Sequence, residues 1–595
     1  MLDFNDLAKN LKKDFSGLKK IKIAVLGDSA TQLLVKALKG WGMELGFQFD
    51  IYEADYDQIE RQVFDKESEL YSFKPEFVII FHSTQKLLKA FYKTSKSEKN
   101  YFAEKRIEKI SNLYEALSDK LKSKIIYFNY IENNDSAFGN YANKTNFSSL
   151  YQVRKINYEL MNLSQSYKNL FINDISSLHN IYGSAFCIDS KIYINTDTVF
   201  SIDFLPYVAK NVCDIILSIS GRFKKCIILD LDNTLWGGII GDDGIEKIQI
   251  GDLGIGKAFT EFQMWIKQLK QRGIILAVCS KNNEDTAKEP FEQHPEMVLK
   301  LDDIAVFVAN WDNKADNIKY IQGILNIGFD SMVFLDDNPF ERNIVKAHIP
   351  EITVPELPED PAEYLNYLQK LNLFETASFT DGDEQRTQQY KEEAQRAIVK
   401  TKFINEDDFL SSLNMVSDVK PFDKFNIPRV SQLTQRSNQF NLRTIRYTED
   451  EIQKIVDSND YFTLSFTLED KYGNYGLISV IIVKKQESSL FIDTWIMSCR
   501  VLKRGMENFV LNNIADFATK NNYKEIVGEY IPTPKNSMVE NHYKNLGFEQ
   551  ISNKNNLFCL NINKYNKLKT FINKKEHETR GDHKTSKSNI YNNIG

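Results

Sequence analysis

The run Cys226-Ile227-Ile228-Leu229-Asp230, continued by Leu231-Asp232-Asn233-Thr234-Leu235-Trp236-Gly237-Gly238, constrains the fold more than any other stretch. Five residues that fit a buried strand lead straight into two carboxylates spaced one apart. Alternate side chains of an extended chain share a face, so Asp230 and Asp232 would both reach the strand's C-terminal edge, where open parallel sheets put their ligand sites. Two carboxylates in that position call for a metal ion.

With 595 residues the chain exceeds what one core can fill, and about 100–200 residues per domain gives three or four units. Net charge is −6, which argues against a general nucleic-acid binder. Cys187, Cys213, Cys226, Cys279, Cys499 and Cys559 are scattered without a CxxC pair. That pattern supports neither a disulfide framework nor a zinc site and fits a reducing, cytoplasmic setting. Met1 to Phe15 lacks the apolar core of a signal peptide, and no run of about 18 apolar residues predicts a membrane span.

Residues 1–220 read as an α/β domain: a short amphipathic helix, a strand at Ile21–Leu26 ending in Gly27-Asp28-Ser29, and further strands at Phe77–Phe81 and Lys124–Asn129. From Cys226, strands alternate with helices, which predicts a doubly wound parallel sheet over 221–357. Its later strands, Ile274–Cys279, Ile304–Val308 and Met332–Leu335, end in Ser280-Lys281-Asn282, in Asn310 to Lys314, and in Asp336-Asp337. Each hands polar groups to the same edge. Prolines over 350–362 predict a linker, and 358–405 a polar helical connector. Strands and helices resume over 406–565, and the Lys- and Asn-rich 566–595 predicts a disordered tail.

Asp230-x-Asp232-x-Thr234, Ser280, Lys314 and Asp336-Asp337 resemble, in order and at strand ends, the four motifs of the haloacid dehalogenase (HAD) superfamily. The resemblance implies that Asp230 is the nucleophile and Asp232 the general acid and base. It implies Mg²⁺ held by Asp230, the Asp232 carbonyl and Asp336, with Ser280 on the phosphoryl oxygens and Lys314 neutralising charge. Thr234 and Asn282 are expected at the substrate. The motif gaps of 48 (280 − 232) and 34 (314 − 280) positions leave little room for a cap domain, so the site is expected to be open.

The surrounding words are more specific. Trp236-Gly237-Gly238, Phe334-Leu335-Asp336-Asp337-Asn338-Pro339-Phe340-Glu341-Arg342, Leu433 to Asn441 and Ile492 to Leu502 resemble the FkbH-like proteins, a HAD branch of subfamily IIIC. The resemblance implies an SGNH-like N-terminal domain, a HAD core and an acetyltransferase-like (GNAT) C-terminal domain. It also implies an activity: the glyceryl group of 1,3-bisphosphoglycerate is dephosphorylated and loaded onto the phosphopantetheine thiol of an acyl carrier protein. A second reading is a HAD phosphatase joined to an N- or O-acyltransferase in surface-polysaccharide or amino-sugar metabolism.

Three local expectations follow. Gly27-Asp28-Ser29 resembles the SGNH nucleophile turn, with Asp174 and His179 as its partners at a spacing of five instead of three; Asp28 and Ser29 equally read as caps of the next helix. An acyl-carrying thiol would be Cys499, beside cationic Arg500, or Cys279. In the coenzyme-A turn of GNAT folds, Lys503 and Met506 here replace small residues. Lys503 and Arg504 would instead receive a phosphopantetheine phosphate or an acidic carrier surface, or form a solvated basic turn.

Overall fold

The computed structural model describes residues 1–379, 388–392, 396, 403, 405–437, 439–498, 501, 502, 504–551 and 556–576. The first sheet is wholly parallel in the order β2-β1-β3-β4-β5: β1 Lys19–Gly27, β2 Phe47–Glu53, β3 Phe77–Phe81, β4 Lys124–Phe128 and β5 Leu170–Asn173. Strand periodicity divides its side chains between two cores. Ile21, Ile23 and Val25 join one, and Ala24 and Leu26 the other. Helices cover both faces, and the last of them, Leu205–Ile219, leads into the second sheet.

The second sheet is also parallel, in the order β8-β7-β6-β9: β6 Cys226–Leu229, β7 Ile275–Ser280, β8 Ile304–Ala309 and β9 Met332–Leu335. Helix Gly256–Gln271 packs Phe259, Phe262 and Ile266 with Ile227 and Leu229. Helix Lys314–Leu325 packs Ile318, Ile321 and Leu325 with Cys226 and Ile228. β6 is therefore buried on both faces and flanked on both edges, the environment its unbroken apolar run demands.

Two expected boundaries are corrected. The proline-spaced 350–362 is no free linker, because Ile352, Val354 and Leu357 are buried and Thr353 bridges Val333 of β9. Prolines suit such an edge segment, where a missing N–H is tolerated. The connector's first helix, Tyr364–Leu371, belongs to the same core through Tyr364 and Leu368. Beyond it, Asn372 donates to Asp214 and Lys210 to the Leu371 carbonyl, tying the segment back to Leu205–Ile219.

The third sheet is mixed, in the order β16-β17-β15-β14-β13-β12-β10-β18. Its strands are β10 Met415–Ser417, β11 Val419–Lys420, β12 Tyr461–Asp470, β13 Gly473–Lys485, β14 Ser489–Met497, β15 Glu525–Glu529, β16 Glu549–Gln550, β17 Leu557–Asn561 and β18 Ile572–Lys574. β14 and β15 are parallel and linked by helix Met506–Lys520, but pair only over Ser489–Ile492 with Glu525–Gly528. Beyond that point a strap from the same chain fills the gap. Met497 donates to the Phe440 carbonyl and Ile531 to that of Leu442. The tail expected over 566–595 is corrected over its first part, because Ile572–Lys574 adds a strand beside Met415–Ser417. Phe571 and Ile572 supply the apolar anchors that the polar composition concealed. Residues 577–595 lie outside the described residues.

In this domain His542 is buried, its ring edge-on to Trp495 and Phe440, and its Nε2 has no hydrogen-bond partner. Burial pushes the imidazole down to about 3. The unfolded chain therefore takes up the proton first, and stability is full above about pH 6.5 and falls as pH drops toward 3. Chemical denaturation is expected to show a loss of about 2 kcal/mol between about pH 6.5 and 5, at about 1.4 kcal/mol per unit. His542→Phe should remove that loss; an unchanged pH slope in the variant would refute the assignment.

Candidate metal and phosphoryl-transfer site

The four strand ends of the second sheet converge. Asp230 follows β6, and its N–H donates to the Leu335 carbonyl, which sets it beside Asp336 at the end of β9. Lys314 begins the helix after β8, where Asn313 caps the first turn through the Ala315 N–H. Its Nζ lies 2.7 Å from Asp230 Oδ2 and 2.6 Å from Asp336 Oδ2. Burial alone would lower the ammonium pKa, but the two carboxylates more than offset it, so Lys314 stays charged.

Asp230, Asp336 and Asp337 offer carboxylate oxygens that all lie within 4.8 Å of one another. Burial, and next the charge of Asp230, push the Asp336 carboxyl up to about 7 against the pull of Lys314. The same two causes raise Asp337. Three hard oxygen donors crowded around one buried cation carry a surplus of negative charge, and this donor set fits Mg²⁺. Arg342 fixes the loop from below, donating through Nη1 to the carbonyls of Asp336 at 2.8 Å and Asp337 at 2.6 Å.

Asp232 faces away from that cluster. Its Oδ1 accepts from the Trp236 indole at 2.9 Å and the Ile240 N–H at 3.0 Å, and its Oδ2 accepts from Asn282 at 3.0 Å. Burial raises its pKa, with the Asp230 charge adding and these donors opposing. A carboxyl held in this way, beside but outside the cation cluster, is placed to give and take a proton. The turn that brings Ile240 back needs Asn233 at φ 55° and Gly238 at φ 94°.

Ser280 ends β7, buried, with a hydroxyl that has no partner among the described residues. Two residues expected at the substrate also support the carboxylates. Asn282 holds Asp232, and the fully buried Thr234 accepts the Asp337 N–H at 3.1 Å. The residues from 232 to 314 hold only the helices and strands of the core itself, so no inserted domain covers the site. Beyond the C-terminal ends of β6 and β8, Ile239 and Trp311 stand in loops, and beyond β9 Phe340 stands in the first turn of helix Pro339–His348, with 76% of Trp311 and 66% of Phe340 exposed. Sequence reasoning missed this apolar rim and the roles of Trp236 and Arg342. Two bulky apolar residues directly after strand-end motifs were the available signal.

Elsewhere, Asp174 caps helix Ile175–Tyr182 and accepts from Asn129, so its carboxylate is already engaged away from His179. Neither Asp28 nor Ser29 caps the following helix Gln32–Glu44. Asp28 reaches across to the Ser83 N–H, and the buried Ser29 hydroxyl has no partner. Cys279 is fully buried, its thiol pushed up by burial and directed to the Lys314 carbonyl. Cys499 and Lys503 lie outside the described residues. Arg504 is not a solvated cation: it is buried, 3.2 Å from Asp470 Oδ2, with its guanidinium over Tyr475.

Residues 22–217 match the family described as FkbH, N-terminal domain. The crystal structure of the N-terminal part of BF1531 from Bacteroides fragilis, containing a phosphatase domain and complexed with Mg, is 56% identical to this chain. It covers 64% of this chain and 100% of its own, with a TM-score of 0.62. The chain belongs to that protein's family. The Escherichia coli ribosomal-protein-S18-alanine N-acetyltransferase covers 25% of this chain and 94% of its own at 12% identity, with a TM-score of 0.20. The Vibrio cholerae spermidine N-acetyltransferase covers 25% and 96% at 16% identity, with a TM-score of 0.19. Likeness of that degree does not bear on the chemistry of residues 406–565. No curated protein matches the chain.

Proposed function

We propose that this chain is a Mg²⁺-dependent HAD-type phosphatase whose substrate is a phosphoglyceryl group derived from 1,3-bisphosphoglycerate and carried as a thioester on the phosphopantetheine of an acyl carrier protein. The observation that carries the phosphatase reading is the Asp230–Lys314–Asp336 cluster, with Asp232 held separately 2 residues on. Asp230, Asp336 and Asp337 would hold the metal, which supplies charge neutralisation to the phosphoryl oxygens. An Asp230 oxygen forms a bond to phosphorus as the bond to the substrate oxygen breaks, and Asp232 gives that oxygen its proton. Asp232 then takes a proton from the water that releases phosphate and frees Asp230. Lys314 and the Ser280 hydroxyl stabilise the charge that builds on the transferring group.

The order of steps follows from bond energetics. Attack of Asp230 on the acyl phosphate itself would release 3-phosphoglycerate, with a free carboxylate at C1, and lose the acyl activation. A thiol must therefore first displace the acyl phosphate at carbon, expelling it as inorganic phosphate, and Asp230 removes the remaining ester phosphate afterwards. The open, apolar-rimmed mouth supports a substrate presented on a large partner. Burial pushes each described cysteine's thiol up, which leaves Cys499 or the carrier's own thiol as acceptor. The test is to weigh holo carrier protein after incubation with enzyme, Mg²⁺ and 1,3-bisphosphoglycerate. A glyceryl adduct is expected, chelation of Mg²⁺ should leave the adduct phosphorylated, and the absence of any adduct on several carriers would refute the carrier assignment.

A further inference from the structure

A cavity of about 700 Å³ lies far from the phosphoryl site, where the N-terminal edge of the first sheet meets the loops Thr444 to Arg446 and Thr533 to Lys535 of the third domain. Six cations line it: Lys19, Lys122, Lys124, Arg222, Arg446 and Lys535, with Glu76 as the acid on the wall. Two of them are matched across domains, Lys124 by Glu451 at 3.4 Å and Lys535 by Asp330. Lys19 and Lys122 are exposed and have no ion-pair partner among the described residues. Arg222 donates to the Leu45 carbonyl and lies over the Phe47 ring, 4.7 Å from its centre, with no carboxylate at ion-pair distance among the described residues.

The positive surplus is felt nearby. The Lys224 ammonium donates to the Asp330 carbonyl, and burial, with Lys535 and Arg222 adding, pushes it down to about 8 against Asp330. Much of the rest of the wall is apolar, including Phe47, Phe77, Ile219 and Pro534, with the hydroxyls of Ser220, Thr444 and Thr533 among it. Apolar walls, a few convergent charges of one sign, a volume within about 300–1,000 Å³ and a place between domains are the marks of a small-molecule site.

We propose that this cavity binds an amphipathic organic anion, with its acid group on Lys19, Lys122 and Arg222 and its apolar body against Phe47, Phe77 and Pro534. The ligand would bridge the first domain, the passage Ile219 to Arg222 into the second sheet, and the third domain. It would thereby hold the three units in one arrangement. Macromolecular anions fit less well, because the charges line a concavity and not a broad face.

The test is titration of the full-length, metal-free protein with 8-anilinonaphthalene-1-sulfonate, N-phenyl-1-naphthylamine as its uncharged counterpart, and inorganic phosphate. One saturable site is expected for the sulfonate, with the uncharged compound and phosphate alone each binding about tenfold or more weakly, a gap of about 1.4 kcal/mol. The double variant Lys19→Glu/Lys122→Glu should weaken the sulfonate about tenfold, and Arg222→Glu should do so independently. Phosphate release and the unfolding midpoint should stay at wild-type values in the double variant, which separates this site from the phosphatase reading. Absence of saturable binding, equal binding of the uncharged compound or of phosphate, or full affinity in both variants would overturn the proposal.

Discussion

Asp230→Asn is expected to stop release of the ester phosphate while leaving the carrier thiol acylated, so that one phosphate is released per adduct and not two, and the adduct accumulates one phosphoryl group heavier than the wild-type product. The amide keeps the shape of the carboxylate at the end of β6 but offers phosphorus a neutral oxygen. Nucleophiles that act as part of a unit typically lose about 10³-fold or more when replaced. Thioester formation breaks a carbon–oxygen bond and needs no carboxylate at that position, so it should persist. The two outcomes separate two errors. Loss of the ester phosphate from the adduct at the wild-type rate would show that Asp230 is not the nucleophile. Loss of the adduct altogether would show that acyl transfer depends on the same centre, and the proposed order of steps would fall.

The second sheet was legible because each of its strands has an apolar run and each ends in residues with little reason to be there except chemistry. The expected strands at Ile274–Cys279, Ile304–Val308 and Met332–Leu335 correspond to β7, β8 and β9 within a residue. β2 and β5 of the first sheet were not anticipated. Phe47–Glu53 interleaves Gln48, Asp50 and Glu53 at the sheet edge, and Leu170–Asn173 is four residues long, so neither shows the apolar run of a central strand. The prolines over 350–362 misled because they break secondary structure locally yet leave Ile352, Val354 and Leu357 free to reach the core. At the site, Asp230, Asp336 and Lys314 could be found as motif members. The partners that aim them could not. Asn282 and Thr234 read from sequence as substrate contacts, and their hydrogen bonds to Asp232 and to the Asp337 N–H are visible only in the fold. Those pairings join residues 50 and 103 positions apart, and no local pattern encodes them.

Lys314→Met should have the largest effect on stability of any single change at the site, and the effect should depend on metal. The ammonium is 3% exposed and lies between Asp230 and Asp336, whose own side chains are 9% and 0% exposed. Methionine has a similar length and no charge, so the cavity stays filled while two buried carboxylates lose their shared partner. Breaking a buried pair in this way costs about 3–5 kcal/mol, because the remaining charges are desolvated and repel each other. Mg²⁺ places positive charge against the same oxygens. It should therefore stabilise the variant more than the wild type, by linkage to the folded state alone. The measurement is chemical denaturation of both proteins with Mg²⁺ and with chelator. In chelator the variant is expected to be less stable by about 3–5 kcal/mol, with much of the gap closed by Mg²⁺. Equal Mg²⁺ stabilisation of the two proteins would mean that Lys314 and the metal do not share the Asp230–Asp336 charge. Release of the ester phosphate should remain low in the variant even with Mg²⁺, since a cation on the carboxylates does not replace the one that Lys314 presents to the transferring phosphoryl group.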